Sequence, residues 1–357
     1  MTTPTPPCPP CLSWDIGGAH LKTALISDST LHARQLPCPL WQGIDQFDRA
    51  SKQALLWAES LYRQQPDTHH VTMSAELADI FISRKQGVLD VLHRLRALLP
   101  PQANILVYTL PDGLCPIERA QQHPLAVASA NWHITARLMS RLHTVSAPLL
   151  LVDIGSTTTD ITLLHKQTIL SQSDNDHDRL RTGQLVYSGV VRTPLMAFGP
   201  TIDVDGKTLP LCAEVFATTA DLYRLSDSLK AEDDQMPTAD GKSKDASASR
   251  RRIARMVALD QSTPSPFLDS LIRAFTNKQK NQLVHACRRV LAQHQCDPRD
   301  THLCVTGCGA FLMDALADAL HPSLPRYRLS AHLAESYTLA DHARVDSCAP
   351  AVALTLL

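Results

Sequence analysis

The stretch LLLVDIGSTTTDITLLHKQ, residues 149–167, consists of an apolar run, a polar tip and a second apolar run. Upstream, LSWDIGGAHLKTALISD at residues 12–28 has the same layout, with the same Asp-Ile-Gly at the end of its first apolar run. Two strand-like segments joined by Asp-x-Gly predict a β-hairpin whose tip carries the polar residues. The chain therefore contains two copies of one hairpin, each near the start of a domain-sized half.

Both hairpin tips carry the residue types of an anion-binding turn. Glycine permits positive φ and lets backbone N–H groups approach a phosphate, and hydroxyls add hydrogen-bond donors. A carboxylate at a strand end can hold Mg²⁺ directly or through its waters. For a single hairpin, a plain turn would be the alternative. The phosphate-binding residues predicted from the two tips are Gly17, Gly18, Gly155, Ser156, Thr157 and Thr158, and the metal-binding and catalytic carboxylates are Asp15 and Asp153.

Several other kinds of site find no support in the sequence. A dinucleotide-binding loop needs G-x-G-x-x-G and a Walker loop needs G-x-x-x-x-G-K-[ST], and neither pattern is present. The sixteen histidines form no H-x-x-x-H pair. Cys8 and Cys11 form a C-x-x-C without a second pair at zinc-ligand spacing, which leaves their role open.

The composition is that of an ordinary globular protein. The 357 residues are 44% hydrophobic and 19% charged, with a net charge of −1, so no overall field favours nucleic acid or an anionic membrane. No apolar run reaches the length of a spanning helix, and the N-terminus does not resemble a signal peptide. We therefore expect a cytoplasmic protein whose partners are small-molecule substrates, with no nucleic acid and no membrane; homo-oligomer formation stays open.

Near the C-terminus, VTGCGAFL at residues 305–312 adds a strand followed by Gly-x-Gly and a helix. Together with the two hairpins, this pattern resembles the actin, sugar-kinase and Hsp70 superfamily. Within it the chain is similar to the hydantoinase A/oxoprolinase family, and most similar to proteins linked to tetrahydromethanopterin one-carbon transfer and to methanofuran-biosynthesis synthases. The other stretches that carry this resemblance are VTMSAELADIF, ASANWHITA, LVYSGVVRTPL, EVFATTADLYRL and TADGKSKDASASRRRIARMV.

The resemblance implies an α/β fold with two ribonuclease-H-like domains around a central cleft. We expect a flexible tail at 1–12, a first domain at 13–147, a second domain at 148–330 with a polar insertion at 226–262, and a C-terminal segment at 331–357 that returns to the first domain. The three arginines 250–252 are expected to form a solvated helix face, or alternatively a mobile lid.

The resemblance also implies an activity. Members of the synthase group join an aminomethylfuran diphosphate to the phenol oxygen of a tyramine-type acceptor and release pyrophosphate. The wider family instead couples ATP hydrolysis to the opening of cyclic amides, so an ATP-dependent amidohydrolase or small-molecule kinase is the alternative. A non-catalytic nucleotide-binding protein is a third. The synthase and the amidohydrolase both need a diphosphate held between the two hairpins, so the motifs do not separate them, although the short chain favours the synthase.

The expected chemistry assigns roles to six more residues. Lys22, Gly307 and Gly309 would bind the diphosphate, Glu76 would act as the base for the acceptor phenol, and Asn131 and Arg192 would bind substrate. Structural alternatives stay open for three of them: an exposed edge-strand lysine for Lys22, a capping residue for Glu76, and a structural ion pair for Arg192.

Overall fold

A computed structural model describes residues 10–171 and 173–357. The described residues form fifteen strands, which are β1 (Cys11–Ile16), β2 (His20–Ser27), β3 (Thr30–Pro37), β4 (Thr68–Met73), β5 (Asn104–Thr109), β6 (Gly113–Pro116), β7 (Leu149–Ile154), β8 (Thr159–His165), β9 (Thr168–Ile169), β10 (Leu185–Val186), β11 (Thr201–Val204), β12 (Lys207–Pro210), β13 (His302–Thr306), β14 (Arg326–Arg328) and β15 (Thr338–Leu339).

The same residues form thirteen α-helices, which are α1 (Asp45–Tyr62), α2 (Arg84–Leu98), α3 (Ile117–Gln122), α4 (Pro124–Val127), α5 (Asn131–Leu142), α6 (Asp176–Thr182), α7 (Thr219–Leu225), α8 (Ala246–Arg255), α9 (Ser265–Gln293), α10 (Met313–Leu320), α11 (Leu329–Leu333), α12 (His342–Ser347) and α13 (Ala349–Leu356). In the part of the chain that the structure describes, no helix is both long and apolar enough to cross a membrane.

The chain divides into two compact units. The first unit contains the described residues up to Leu142 together with Leu329–Leu357, and the second unit is His143–Arg328. The boundaries predicted from the sequence, 147/148 and 330/331, lie a few residues from these divisions. Residues 1–9 of the predicted tail lie outside the described residues. The tail does not extend to residue 12, because β1 begins at Cys11 and Leu12 is fully buried in the core.

The first unit is built on a seven-stranded sheet with the order β15-β3-β2-β1-β4-β5-β6. The pair β1–β2 is antiparallel, whereas β1 and β4 are parallel. Leu12, Trp14 and Ile16 alternate along β1 and enter a core cluster that α1 and α2 also line. The C-terminal helix α13 packs on β1, β2 and β4 because its residues Ala349–Leu354 are apolar and fully buried.

The second unit repeats this arrangement. Its main sheet has the order β10-β8-β7-β13-β14, with β9 pairing on β8. Here β7–β8 is the antiparallel hairpin and β7–β13 the parallel pair. In both units a hairpin is followed by parallel neighbours, so the α/β class predicted from the sequence is confirmed.

The polar segment 226–262 has many exposed residues but is anchored by buried charges. Arg252 of α8 is fully buried and donates to Asp221 Oδ1 at 2.7 Å and to Asp240 Oδ1 at 3.1 Å. Arg224 binds Asp221 and Asp234 at 2.8 and 2.6 Å. The prediction of an exposed arginine face or lid is therefore wrong for Arg252, since its charge is compensated inside the unit.

Candidate functional site

The tip of the second hairpin is a tight, half-exposed turn. The hydrogen bond from Gly155 N–H to the Thr158 carbonyl, 2.8 Å long, closes it directly after β7. Ser156 and Thr157 lie within it, with their hydroxyl oxygens 3.5 Å apart. Asp153 pairs with Asp160 across the hairpin register. The turn therefore displays hydroxyls next to a carboxylate at the end of a strand.

The Gly307–Gly309 turn lies against this hairpin. It follows β13, whose last residue, Thr306, pairs with Asp153. Gly307 has φ +86°, and a Cβ there would lie 2.5 Å from Asp153 Oδ1 and 2.2 Å from the Ile154 carbonyl oxygen. The Gly309 N–H donates to that carbonyl at 2.8 Å. Only glycine fits this close approach, which holds the second turn on the carboxylate.

A third segment, residues 188–193, completes the group. The Val190 N–H donates to the Gly155 carbonyl at 3.0 Å, and the N–H groups of Val191 and Arg192 donate to the Ser156 carbonyl at 3.1 and 2.9 Å. The Arg192 guanidinium donates to Thr157 Oγ1 at 3.3 Å. The structure thus brings a cation to the hydroxyl turn.

Gly189, in the same segment, was not singled out by sequence reasoning. A Cβ at this position would lie 2.4 Å from the Ser156 carbonyl carbon and the Thr157 nitrogen. The sequence signal for this residue was the glycine of LVYSGVVRTPL. Its packing partner, the Ser156–Thr157 peptide, is more than thirty residues away in the chain and could not be found from sequence spacing.

The first hairpin has the same backbone and a different tip. The Gly17 N–H donates to the His20 carbonyl at 3.0 Å, and Gly17 and Gly18 are half-exposed. Asp15 is 3% exposed and pairs across the register with Lys22, whose ammonium lies 4.0 Å from Asp15 Oδ2. The tip has no hydroxyl residues, and its carboxylate lies beside a lysine.

Ser74 connects this tip to the start of α5. Its N–H donates to the Ile16 carbonyl at 2.9 Å, and the Asn131 amide nitrogen lies 3.5 Å from its hydroxyl. These groups lie where the parallel strands β1 and β4 end, which is the edge where α/β sheets bind ligands.

Glu76, two residues after Ser74, is buried in an ion pair. Its Oε1 accepts from Arg84 at 2.7 Å and from the Ser129 hydroxyl at 2.8 Å. Ser129 has φ +50°, a left-handed conformation that is uncommon for a serine. The Glu76 side chain is 0% exposed, and Oε2 has no hydrogen-bond partner among the described residues. A substrate would reach this carboxylate only after its neighbours move.

The predicted site residues thus fall into two groups, one in each unit. The second unit brings together Asp153, Gly155, Ser156, Thr157, Thr158, Arg192, Gly307 and Gly309, and the first unit contains Asp15, Gly17, Gly18, Lys22, Glu76 and Asn131. That the two groups line one cleft stays a prediction, as do the roles assigned to them. Among the described residues, no three His, Cys, Asp or Glu side chains are arranged to hold a metal.

The sheet of each unit begins with an antiparallel hairpin that has Asp-Ile-Gly where its first strand meets the turn, and parallel strands follow. This arrangement is the fold of the actin, sugar-kinase and Hsp70 superfamily. A nucleotide-free structure of acetone carboxylase is similar in fold, with a TM-score of 0.55 over 88% of this chain and 67% of that chain at 10% identity.

The family follows from sequence. The chain belongs to the hydantoinase/oxoprolinase family, whose model matches residues 67–342. A (4-{4-[2-(gamma-L-glutamylamino)ethyl]phenoxymethyl}furan-2-yl)methanamine synthase from Methanocaldococcus jannaschii is 31% identical over 78% of this chain and 79% of its own. The synthase of the same name from Methanococcus vannielii is 34% identical over 31% of this chain and 50% of its own. The resemblance to this family is confirmed.

Proposed function

We propose that the protein is a transferase of methanofuran-type cofactor biosynthesis. It would join an aminomethylfuran diphosphate to the phenol oxygen of a tyramine-type acceptor and release pyrophosphate. The observation that carries this proposal is the 31% identity to the Methanocaldococcus synthase over 79% of that protein's length. The name of that enzyme describes a furan methylene bonded to a phenoxy oxygen, which is the ether that this reaction forms.

The reaction replaces one carbon–oxygen bond by another. The bond between the furan methylene and the diphosphate oxygen breaks, and its electron pair leaves with pyrophosphate. The furan ring stabilises the positive charge that develops on the methylene carbon. The phenol oxygen then bonds to that carbon and loses its proton, so ether, pyrophosphate and one proton are formed. ATP is not consumed.

The chain would stabilise the departing anion and activate the acceptor. Hydroxyls of Ser156, Thr157 and Thr158 and the ammonium of Lys22 would donate to the diphosphate. A phenol has a pKa of about 10 in water, so a base assists, and Glu76 is the candidate. Its buried ion pair means that this role requires a local opening around Arg84 and Ser129.

Magnesium fits the donor set that the chain offers. Mg²⁺ binds to one or two carboxylates and keeps several waters and substrate phosphates as ligands, so a cluster of three protein ligands is not required. Asp15 and Asp153, each at the end of a strand beside a glycine turn, are the residues that would hold it. When bound, the ion would neutralise charge on the leaving pyrophosphate.

A second candidate is an ATP-dependent amidohydrolase or kinase, which the family match over residues 67–342 favours. The two reactions differ in the bond broken. The synthase releases intact pyrophosphate without ATP, whereas the alternative releases orthophosphate or transfers phosphate only with ATP. A non-catalytic nucleotide-binding protein would bind without turnover.

The deciding experiment incubates the purified protein with the furan diphosphate, with and without tyramine, and measures pyrophosphate and orthophosphate separately. We expect pyrophosphate and ether in equal amounts and little ATP hydrolysis. ATP turnover stimulated by a cyclic amide would reject the synthase. We also expect Glu76→Gln to slow ether formation more than it weakens diphosphate binding. Arg84→Met is its control, because it breaks the same ion pair but keeps the carboxylate.

A further inference from the structure

Backbone hydrogen bonds hold the segment Ser188–Thr193 against the second hairpin. Besides the bonds from residues 190–192, the Thr159 hydroxyl donates to the Ser188 carbonyl at 2.6 Å. Gly189 lies directly on the Ser156–Thr157 peptide. The position of Arg192 relative to the hydroxyl turn is therefore set by how this segment is held.

A buried network behind the segment holds it in place. The Gly189 carbonyl accepts hydrogen bonds from the Thr219 hydroxyl at 2.8 Å, from Gln279 Nε2 at 2.8 Å and from the Thr193 hydroxyl at 3.2 Å. The Gly189 N–H donates back to Thr193 Oγ1 at 2.8 Å. Thr219 and Gln279 are fully buried, so these bonds form away from water, where an unpaired amide or hydroxyl would be costly.

Gln279, near the middle of α9, is the residue that fixes the orientation of this network. Its Nε2 also donates to the Ser188 hydroxyl at 3.1 Å, and its Oε1 accepts from the Tyr223 hydroxyl at 2.6 Å. Burial raises the pKa of Tyr223, so the phenol stays protonated and remains a donor at neutral pH. Because Tyr223 occupies Oε1, the amide nitrogen must face Gly189.

We propose that Ser188–Thr193 is the second wall of the anion site, that Arg192 on it contacts the diphosphate, and that Gln279 is the positioning residue that sets this wall. This inference rests on the proposed function, which supplies the diphosphate. It specifies which substrate Arg192 would bind, namely the diphosphate donor rather than the phenol acceptor. The guanidinium fork suits phosphate oxygens, and its bond to Thr157 directs it toward the hydroxyls expected to bind the same group.

The first test concerns Arg192. Binding of inorganic pyrophosphate with Mg²⁺ is measured by calorimetry for the wild type, Arg192→Met and Arg192→Lys, with Arg181→Met as control. Arg181 has the same charge in the same unit, but its side chain is 69% exposed. We expect Arg192→Met to weaken binding roughly tenfold to hundredfold, as for loss of a charged hydrogen bond, and Arg192→Lys to recover part of that loss.

Kinetics separate a donor ligand from an acceptor anchor. For Arg192→Met, the KM for the furan diphosphate should rise while the KM for the phenol acceptor stays within about twofold. A rise in the acceptor KM alone would overturn the inference and assign Arg192 to the acceptor. Unchanged pyrophosphate affinity would also overturn it, although ether formation by the wild type would still support the proposed function.

The second test concerns Gln279 and uses a double-mutant cycle on pyrophosphate affinity. Gln279→Met should weaken binding by roughly threefold to tenfold, and should add little in the Arg192→Met background, because it acts through that side chain. Gln282→Met, an exposed glutamine on the same helix, is the control. Fully additive losses would show that Gln279 only stabilises the unit, and would overturn its positioning role.

Gln279→Met could also impair folding. In that case Tyr223→Phe removes only the hydroxyl that orients the amide, and it should shift pyrophosphate affinity in the same direction by a smaller factor. Affinity unchanged in a folded Tyr223→Phe protein would count against the network. If Arg192-dependent pyrophosphate binding occurs but no ether forms, the anion site stands and the proposed function falls.

Discussion

The two hairpins share a backbone but differ at every side chain that could touch an anion. In both, a carboxylate is the second-last residue of the first strand and a glycine N–H closes the turn, at Gly17 and at Gly155. The residue opposite the carboxylate is Lys22 in the first hairpin and Asp160 in the second. Asp160 in turn binds the buried Arg179 at 2.8 Å. The same register therefore places a cation beside Asp15 and a second carboxylate beside Asp153.

The supporting segments differ in the same way. In the first unit the Leu40 N–H donates to the Gly18 carbonyl at 3.0 Å, and the Leu40 side chain is fully buried in the core. In the second unit the corresponding support is residues 190–192, which bring Arg192 to the hydroxyls. Both copies thus have the geometry that exposes a turn, but the second carries hydroxyls within the turn and an arginine bonded to them, whereas the first has a lysine paired with Asp15. We infer that the second hairpin carries most of the anion binding.

The largest expected effect comes from removing the buried charge beneath the second hairpin. Arg252 binds Asp221 of α7, the helix whose first residue, Thr219, donates to Gly189. Arg252→Ala would leave the buried Asp221 with Arg224 alone and Asp240 without Arg252. Breaking a buried pair typically costs about 3–5 kcal/mol, and because Arg224 remains we expect a loss of about 3 kcal/mol. Hydrogen exchange of peptides from residues 219–255 should show lost protection.

Arg250→Ala is the matched control. Arg250 lies in the same helix, but its pair with Asp269 is more than one-third exposed on both sides, so we expect at most about 1 kcal/mol. Equal effects of the two substitutions would mean that the buried network contributes no more than a surface pair.

Next in size is the difference between the two aspartates in turnover. Asp153→Asn should lower ether formation by roughly a hundredfold, the scale of losing one electrostatic stabiliser, and leave the fold intact. Asp15→Asn should lose less, roughly tenfold, because Lys22 already compensates that carboxylate. Steady-state rates with the furan diphosphate measure both. Equal losses would show that the two hairpins contribute alike, and near-normal rates in Asp153→Asn would remove this residue from the mechanism.

A smaller effect separates the glycines of the two turns. Gly307→Ala would place a Cβ 2.2 Å from the Ile154 carbonyl oxygen at φ +86°, which we expect to destabilise the second unit by about 2–3 kcal/mol. Gly18→Ala has open space within 4 Å, so its thermal unfolding should match the wild type. A stable Gly307→Ala protein would mean that the Gly307 turn can move away from Asp153.

How much the sequence could predict depended on the range of the interaction. The hairpins were predictable because strand, Asp-Ile-Gly and strand are contiguous, and local geometry follows from local residues. The burial of Arg252 was not predictable, because nothing in the local sequence distinguishes the three consecutive arginines. Arg252 differs from the other two because it binds Asp221, which is distant in the chain. Gly189 and Gln279 were missed for the same reason, since their partners lie in other elements. Glu76 was found as a residue, but its ion pair with Arg84 appears only when the chain is folded.

The smallest expected effect concerns His69 of β4, the strand that pairs with the first strand of the first hairpin. Trp14 precedes Asp15 and donates its indole N–H to His69 Nδ1 at 3.1 Å, whereas Val152 occupies the matching position in the second hairpin. Burial lowers the pKa of His69 to about 4, because a charged ring would be desolvated and would lose this bond. The unfolded chain binds a proton near pH 6.5, so stability is full above that value and falls as the pH drops toward 4.

We expect the first unit to lose roughly 2 kcal/mol between pH 7 and pH 5 from this residue alone. All four tryptophans precede residue 143, so denaturant unfolding followed by tryptophan fluorescence reports on the first unit. The comparison with His69→Gln separates the contribution of His69 from those of the other histidines. Glutamine can still accept from Trp14 through its side-chain oxygen and does not titrate, so the variant should be less sensitive to pH by that amount. The same pH dependence in both proteins would show that His69 can be protonated without cost.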